Sequence, residues 1–215
     1  MSPFLSVLSR CLFLVLALVF SSSASDNVVD KRLASQVERY LKGVEFIAAD
    51  FEQIGDNGEV YTGRFWLKKV VKSKSSGEPQ VKIEYTSGLN QDILVSDSVV
   101  TVFDREASKK YVQSILQTPI YSILTGTLDL SKETFEIAEN SEEYLRLRIN
   151  SSSTFGGIQV MLVFSKYTNG NLKNLEAWII DDGKNKTMFS FDPKTLSVND
   201  AKRIPDDVFS LPDAR

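Results

Sequence analysis

The chain has 215 residues, 25 basic against 28 acidic side chains, no histidine and a single cysteine. That length is ample for one well-packed core, and the mild acidity leaves no basic footprint for nucleic acid. Without histidine, zinc sites of the His/Cys kind and all Ser-His, Cys-His and His general-base chemistries are excluded, which removes most hydrolase mechanisms.

The first segment reads as an export signal. After Arg10 comes the apolar run "CLFLVLALVF" from Cys11 to Phe20, then Ser21, Ser22, Ser23, Ala24 and Ser25. A short basic start, an apolar stretch too brief to span a bilayer and a small-residue exit predict a cleavable secretory signal over 1–24, cut after Ala24. Cys11 opens the apolar run instead of following it, so it is misplaced for lipid modification. Removal of 1–24 takes away Arg10 and no acid, leaving 24 basic against 28 acidic residues, a balance of −4. The remainder, 25–215, is expected to form a single domain in the periplasm.

An amphipathic helix is predicted next, from Asp26 to Lys42: Val29, Leu33, Val37, Tyr40 and Leu41 recur at helical spacing, and Gly43 is a natural stop. Almost everything after it reads as strand. The predicted strands are Glu45 to Ile54, Val60 to Val70, Gln80 to Tyr85, Asp92 to Ser96, Val99 to Phe103, Ser108 to Gln113, Thr134 to Ala138, Tyr144 to Ile149, Ile158 to Lys166, Asn171 to Asp181 and Thr187 to Phe191. Turn signals such as "GDNG", "SDS", "DREA", "TNGN" and "DDGKN" separate neighbours by so few residues that the pairs must be antiparallel. A second short helix, Pro119 to Leu124, has Thr118 as N-cap and Gly126 beyond its end. Val71 to Pro79, "VKSKSSGEP", reads as an exposed loop, and the tail "IPDDVFSLP" as one helical turn around Asp206 to Phe209.

In several predicted strands apolar residues fall on both faces. Tyr144 to Ile149 alternates cleanly, but "FIAADF", "RFWL", "DILVSDSVVTVF", "IQVMLVF" and "EAWII" do not. Either protein covers both faces or one face encloses an apolar ligand. "TGRFWLKKV" at 62–70 sharpens the point, because Phe65, Leu67 and Lys69 share a face and place a cation at the end of an apolar row. Asp50 and Glu52, two apart on one strand face, read more simply as a solvated face than as a carboxylate pair. "DDGKN" is a hairpin turn before it is a metal loop, and "NSS" at 150–152 and "NKT" at 185–187 are weak glycan-acceptor matches.

In order and spacing, "ADFEQ" at 49–53, "GRFWLKK" at 63–69, "ILVSDSVVTVFD" at 93–104, "TPIYSILTG" at 118–126 and "DDVFSLP" at 206–212 resemble the periplasmic outer-membrane lipoprotein carrier family, LolA. The resemblance covers nearly the whole chain after residue 24. It implies a mostly β fold with a few helices, an incomplete antiparallel β-barrel of about eleven strands covered by a helical lid over an apolar cavity. It further implies a monomeric chaperone, not an enzyme, with no cofactor and no bound metal. Such a chaperone accepts acylated lipoproteins from an inner-membrane lipoprotein-releasing ABC transporter and delivers them to an outer-membrane lipoprotein receptor. By strand parity within that fold the cavity lining is Phe65, Leu67, Val81, Ile83, Tyr85, Ile93, Val95, Leu145, Leu147, Val160, Leu162 and Phe164. The lid is Leu33, Val37, Pro119, Ile120, Ile123 and Leu124.

The sequence departs from the family pattern at telling places. Where the family has an arginine that holds the lid through helix backbone, this chain has Lys69, followed by Val70 where the family has proline. One mobile ammonium replaces a five-donor planar fork, so Lys69 is either a weaker clamp or a solvated rim cation. The family's "SDG" turn is "SDS", with Ser98 for glycine, which a looser turn would accept. The alternative function is a lipid-sensing periplasmic regulator on the same fold, acting through a protein partner.

Overall fold

The computed structural model describes residues 23–69, 79–114, 119–150 and 158–212; the side chains of 23–29 and of Pro119 are not described. The expected signal segment up to residue 22, Val70, the loop up to residue 78, Thr118 and the acceptor site at 151–152 therefore lie outside the described residues. The chain divides into two compact units, Met1–Gln36 and Val37–Arg215. Helix α1, Ser23–Gly43, starts in the first unit, where Leu33 and Ala34 are buried, and ends in the second. Everything below concerns the second unit.

The strands are β1 (Phe46–Ile54), β2 (Val60–Lys69), β3 (Pro79–Ser87), β4 (Gln91–Ser96), β5 (Val99–Asp104) and β6 (Lys109–Ser114). After helix α2 (Pro119–Thr125) come β7 (Thr134–Asn140), β8 (Tyr144–Asn150), β9 (Gln159–Lys166), β10 (Leu172–Asp181), β11 (Lys186–Phe191) and the two-residue β12 (Ser197–Val198). Among the described residues they make one antiparallel sheet of twelve strands, in the order β6-β5-β4-β3-β2-β1-β11-β10-β9-β8-β7, with β12 beside β1. Each half is a meander, because connections this short leave a strand nowhere to go but beside its predecessor. The halves join where β11 returns to β1, pairing Phe51 with Phe191 and Ile54 with Met188. The other ends, β6 and β7, are not paired with each other, so the barrel is incomplete, and α2 lies on the connection between these two edges. The fold is the open antiparallel barrel that the sequence led us to expect.

The central strands of the sheet carry a cluster of rings. Phe189 stacks on Phe51 at 4.3 Å and on Trp178 at 4.7 Å, while Phe65 meets Trp178, Phe189 and Phe191 edge-on. Gly63 makes room for this cluster: a Cβ there would lie 2.7 Å from the Phe51 ring and 2.2 Å from the Glu84 carbonyl oxygen. Offset and edge-to-face ring pairs of this kind each add about 0.5–1.5 kcal/mol beyond their buried area.

Two details differ from the expectation. The "SDS" connection is not a looser turn but a tight two-residue one, with Asp97 at φ 51° and Ser98 at φ 62°. Ser96 pairs with Val99 directly across it, and that register demands left-handed backbone at both corners whatever residues occupy them. The tail does not form a helical turn around Asp206 to Phe209. A 3-10 turn occupies Ala201–Arg203 instead, and after Pro205 the chain makes a single bonded turn and runs on without regular structure. Tertiary bonds hold it in place of helical ones: Lys82 Nζ donates to the Ser210 carbonyl at 2.9 Å.

Candidate functional site

The ladder registers decide which side chains share a face. Phe65 stands opposite Ile83 and Ile83 opposite Ile93, while Leu67 opposes Val81 and Val81 opposes Val95. On the other half Leu145 opposes Phe164, Leu147 opposes Leu162 and Ile149 opposes Val160. These residues and Tyr85 form one apolar surface, on which all twelve expected lining residues lie. Ten of them are buried; Ile83 and Ile93 are half-buried, on the half nearer the β6 edge.

The same surface holds residues that strand parity missed. Ile47, Leu175 and Trp178 belong to it, together with Phe189 and Phe191. Leu175 opposes Phe164 and Trp178 opposes Leu162, although the two are three positions apart. The irregularity between Leu175 and Ala177 inserts one residue and reverses parity, which is why "EAWII" has no clean alternation. An amide freed at such a bulge needs a partner, and the Leu175 N–H donates to the Tyr40 hydroxyl at 2.9 Å. Burial pushes the Tyr40 phenol up to about 12, so the hydroxyl keeps its proton at any ordinary pH.

The end of α1 and the short helix α2 cover this face. Tyr40 meets the Phe164 ring edge-on at 5.3 Å, and Val37 and Leu41 are fully withdrawn from solvent. Glu38 accepts from the Leu130 amide at 2.7 Å, tying α1 to the 3-10 turn Leu130–Lys132. On α2, Ile123 and Leu124 are buried while Ile120 is half-buried. Between helices and sheet remains a cavity of about 20 Å³, lined by Tyr40, Leu41, Phe65, Leu67, Lys69 and Trp178 among others. A single water needs about 10–15 Å³ by this measure, so the face is closed.

Lys69 stands in that cavity's wall. It is 9% exposed, and its Nζ donates to the Leu41 carbonyl at 2.6 Å. The partner follows from helix geometry: the last four carbonyls of a helix have no amide four residues on. For Leu41 that amide would be Glu45, which donates at 2.6 Å to the Asn199 side chain instead. Lys69 caps the orphan, and a cation at a helix C-terminus also suits the helix dipole. Asn199 completes the cap by donating to the Gly43 carbonyl at 2.9 Å. Burial holds the Lys69 ammonium down at about 8, opposed by the nearby Glu45 carboxylate. Lys69 is thus not a solvated rim cation.

Helix α2 is seated on the same group. Gly126 follows it at φ +70°, and a Cβ there would lie 2.7 Å from the Leu41 oxygen and 2.8 Å from Lys69 Nζ. The hairpin tip reaches α2 from the other side, since Ser98 Oγ and the Tyr121 hydroxyl share a hydrogen bond of 3.0 Å. Serine at this position therefore makes a contact that glycine could not.

The opposite face of the sheet also carries buried groups. Lys82, Asp92 and Phe103 are buried there, Lys82 reaches Ser210, and Arg105 bridges Asp92 and the Tyr85 carbonyl. Asp50 and Glu52 line an outer polar groove with Arg64, consistent with a solvated face. Asp182 accepts from the amides of Lys184 and Asn185, as a hairpin turn requires. Among the described residues no cluster of three acidic side chains is arranged to hold a metal ion.

No family model matches the chain, and no curated protein matches it in sequence. Solved structures of similar fold do exist. A DUF1329 family protein from Desulfovibrio piger aligns over 84% of this chain and 96% of its own, at 8% identity and a TM-score of 0.50. An outer membrane lipoprotein-sorting protein domain from Vibrio parahaemolyticus aligns over 82% of this chain and 94% of its own, at 9% identity and 0.47. A LolA superfamily protein from Nitrosomonas europaea aligns over 84% and 97%, at 13% identity and 0.41. The likeness is one of fold.

Proposed function

We propose that this protein is a periplasmic carrier for the acyl chains of lipoproteins, exported by the segment 1–24. It accepts acylated lipoproteins from an inner-membrane lipoprotein-releasing ABC transporter and passes them to an outer-membrane receptor. The observation that carries the reading is the continuous apolar face from β3 to β9, roofed by helices and collapsed to a cavity of about 20 Å³. Each acyl methylene left in water costs about 0.8 kcal/mol, so a lipoprotein in transit needs an apolar enclosure. Sites for ligands of that size run to about 300–1,000 Å³, so cargo enters only when a helix moves. Helix α2, seven residues long and lying on the connection between the two open edges, is the element that moves. A roof that recloses on its own apolar contacts weakens net binding, and a hand-over needs that, since only a difference in affinity drives transfer.

The test is release from membranes. The purified protein lacking 1–24 is incubated with spheroplasts that are synthesising lipoproteins, and the supernatant is examined for a soluble one-to-one complex. Lipoprotein in that complex supports the carrier; no release with the transporter present overturns it.

A further inference from the structure

Strand β6, Lys109–Ser114, lies at an end of the sheet and among the described residues pairs with β5 alone. All six of its residues are exposed, with Tyr111 at 55% and Val112 at 67%. Sheet edges are usually blunted by a bulge, a proline, charged side chains or a very short strand, because unpaired N–H and C=O groups invite another strand. This edge carries charge at one end only, at Lys109 and Lys110; its register to β5 runs unbroken from Lys109 opposite Asp104 to Ser114 opposite Val99, and it contains no proline. The other edge, β7, is better protected. Its residues alternate between half-buried and exposed, and Glu136 and Glu139 are ion-paired with Arg148 and Arg146.

We propose that β6 is a docking edge for an extended, acidic segment of another polypeptide, which joins the sheet as an added strand. The backbone groups supply affinity and the side chains choose the sequence. Tyr111 stands opposite Val102, at the end of the row Phe65, Ile83, Ile93, Val102, so the residue beside it extends the apolar face. Val112 opposes Thr101 on the other face and calls for a second apolar neighbour. Lys109 and Lys110, adjacent in the strand and so on opposite faces, form no ion pair among the described residues, and both ask for carboxylates at that end. The partner is therefore a strand-length segment with adjacent apolar residues and acidic residues at the end that meets Lys109 and Lys110. A second copy of β6 fits less well, since an end-aligned antiparallel pair would set Lys109 and Lys110 opposite Ser114 and Gln113 and offer them no carboxylate.

The test uses synthetic peptides of about eight residues, with a central pair of adjacent valines flanked by threonines and two glutamates or two lysines at one end or the other. Binding is followed by fluorescence anisotropy, and amide exchange locates it. The acidic peptide is expected to bind at least about fivefold more tightly than the basic one, with new protection at Lys109–Ser114. The double variant Lys109→Glu with Lys110→Glu, exposed at both sites, is expected to reverse the preference. Equal binding of both peptides, an unchanged preference in the double variant, or protection at β7 instead of β6 overturns the proposal. So does self-association that the double variant abolishes, which would make a second copy the occupant.

Discussion

The Lys69 ammonium and the Leu41 carbonyl meet at 2.6 Å beside a nearly filled apolar cavity, and together they join the end of α1 to the sheet. The bond satisfies a helix-end carbonyl at the cost of a desolvated cation. Lys69 is held down at about 8, against an ordinary lysine value of 10.5. The unfolded chain then binds more protons than the folded one between those values, so this group makes stability rise with pH from about 8 to 10.5. The upper limit is about 3 kcal/mol. Urea unfolding at pH 7.5 and pH 10 is expected to show that gain in the parent protein relative to Lys69→Met, which has no such group. A parallel response in the two proteins would place the ammonium in water.

Ser98 and Tyr121 set a local trade between strain and contact. Left-handed backbone costs a non-glycine residue about 1–2 kcal/mol, while a hydrogen bond contributes about 0.5–1.5 kcal/mol. Ser98→Gly is therefore expected to leave global stability within about 1 kcal/mol of the parent. Amide exchange in α2 is expected to speed up by several-fold, because the tip no longer holds the Tyr121 hydroxyl. Tyr121→Phe is expected to give the same local acceleration, and the double variant no more than either single. Additive effects would show that the two side chains act independently.

Gly126 is required twice over, by its positive φ and by the lack of room for a Cβ. Gly126→Ala is expected to destabilise by about 2–4 kcal/mol, measured by urea unfolding. Gly170 provides the control: its φ is +78°, yet nothing lies within 4 Å of a Cβ there. Gly170→Ala is expected to cost only about 1 kcal/mol. Equal costs at the two sites would mean that Lys69 and Leu41 yield without penalty.

Lys82 pins the tail from the other face. Burial lowers its pKa, with Asp92 opposing, and its Nζ lies 4.0 Å from the Asp92 carboxylate. Lys82→Met is expected to free the Ser210 carbonyl and to open the tail near residues 205–212 to limited proteolysis, while Arg105 continues to pair with Asp92. A tail as resistant as in the parent would show that Val208, Phe209 and Leu211, all half-buried, suffice to hold it.

Much of this molecule was legible in the residues. Short turns between apolar runs are a local signal, so the strands and their antiparallel order followed directly, with ends shifting by one or two residues. Strand parity placed the twelve expected lining residues on one face, because a clean two-residue period survives wherever no bulge intervenes. It failed at β10, where one inserted residue turns Leu175 and Trp178 to the same face. The tail was misread for a related reason: its hydrogen-bond partner, Lys82, lies more than a hundred residues away in sequence.

The sequence alone determined the antiparallel meander, the exclusion of histidine chemistry and the position of a cation at the end of an apolar row. Only the tertiary structure decided what that cation does. Whether a lysine is solvated or buried depends on which carbonyl comes within 3 Å of it. Here that is Leu41, whose helical partner Glu45 is drawn away by Asn199 from far along the chain. A periodic pattern records which face a side chain occupies, but it holds no information about what arrives on that face from a distance.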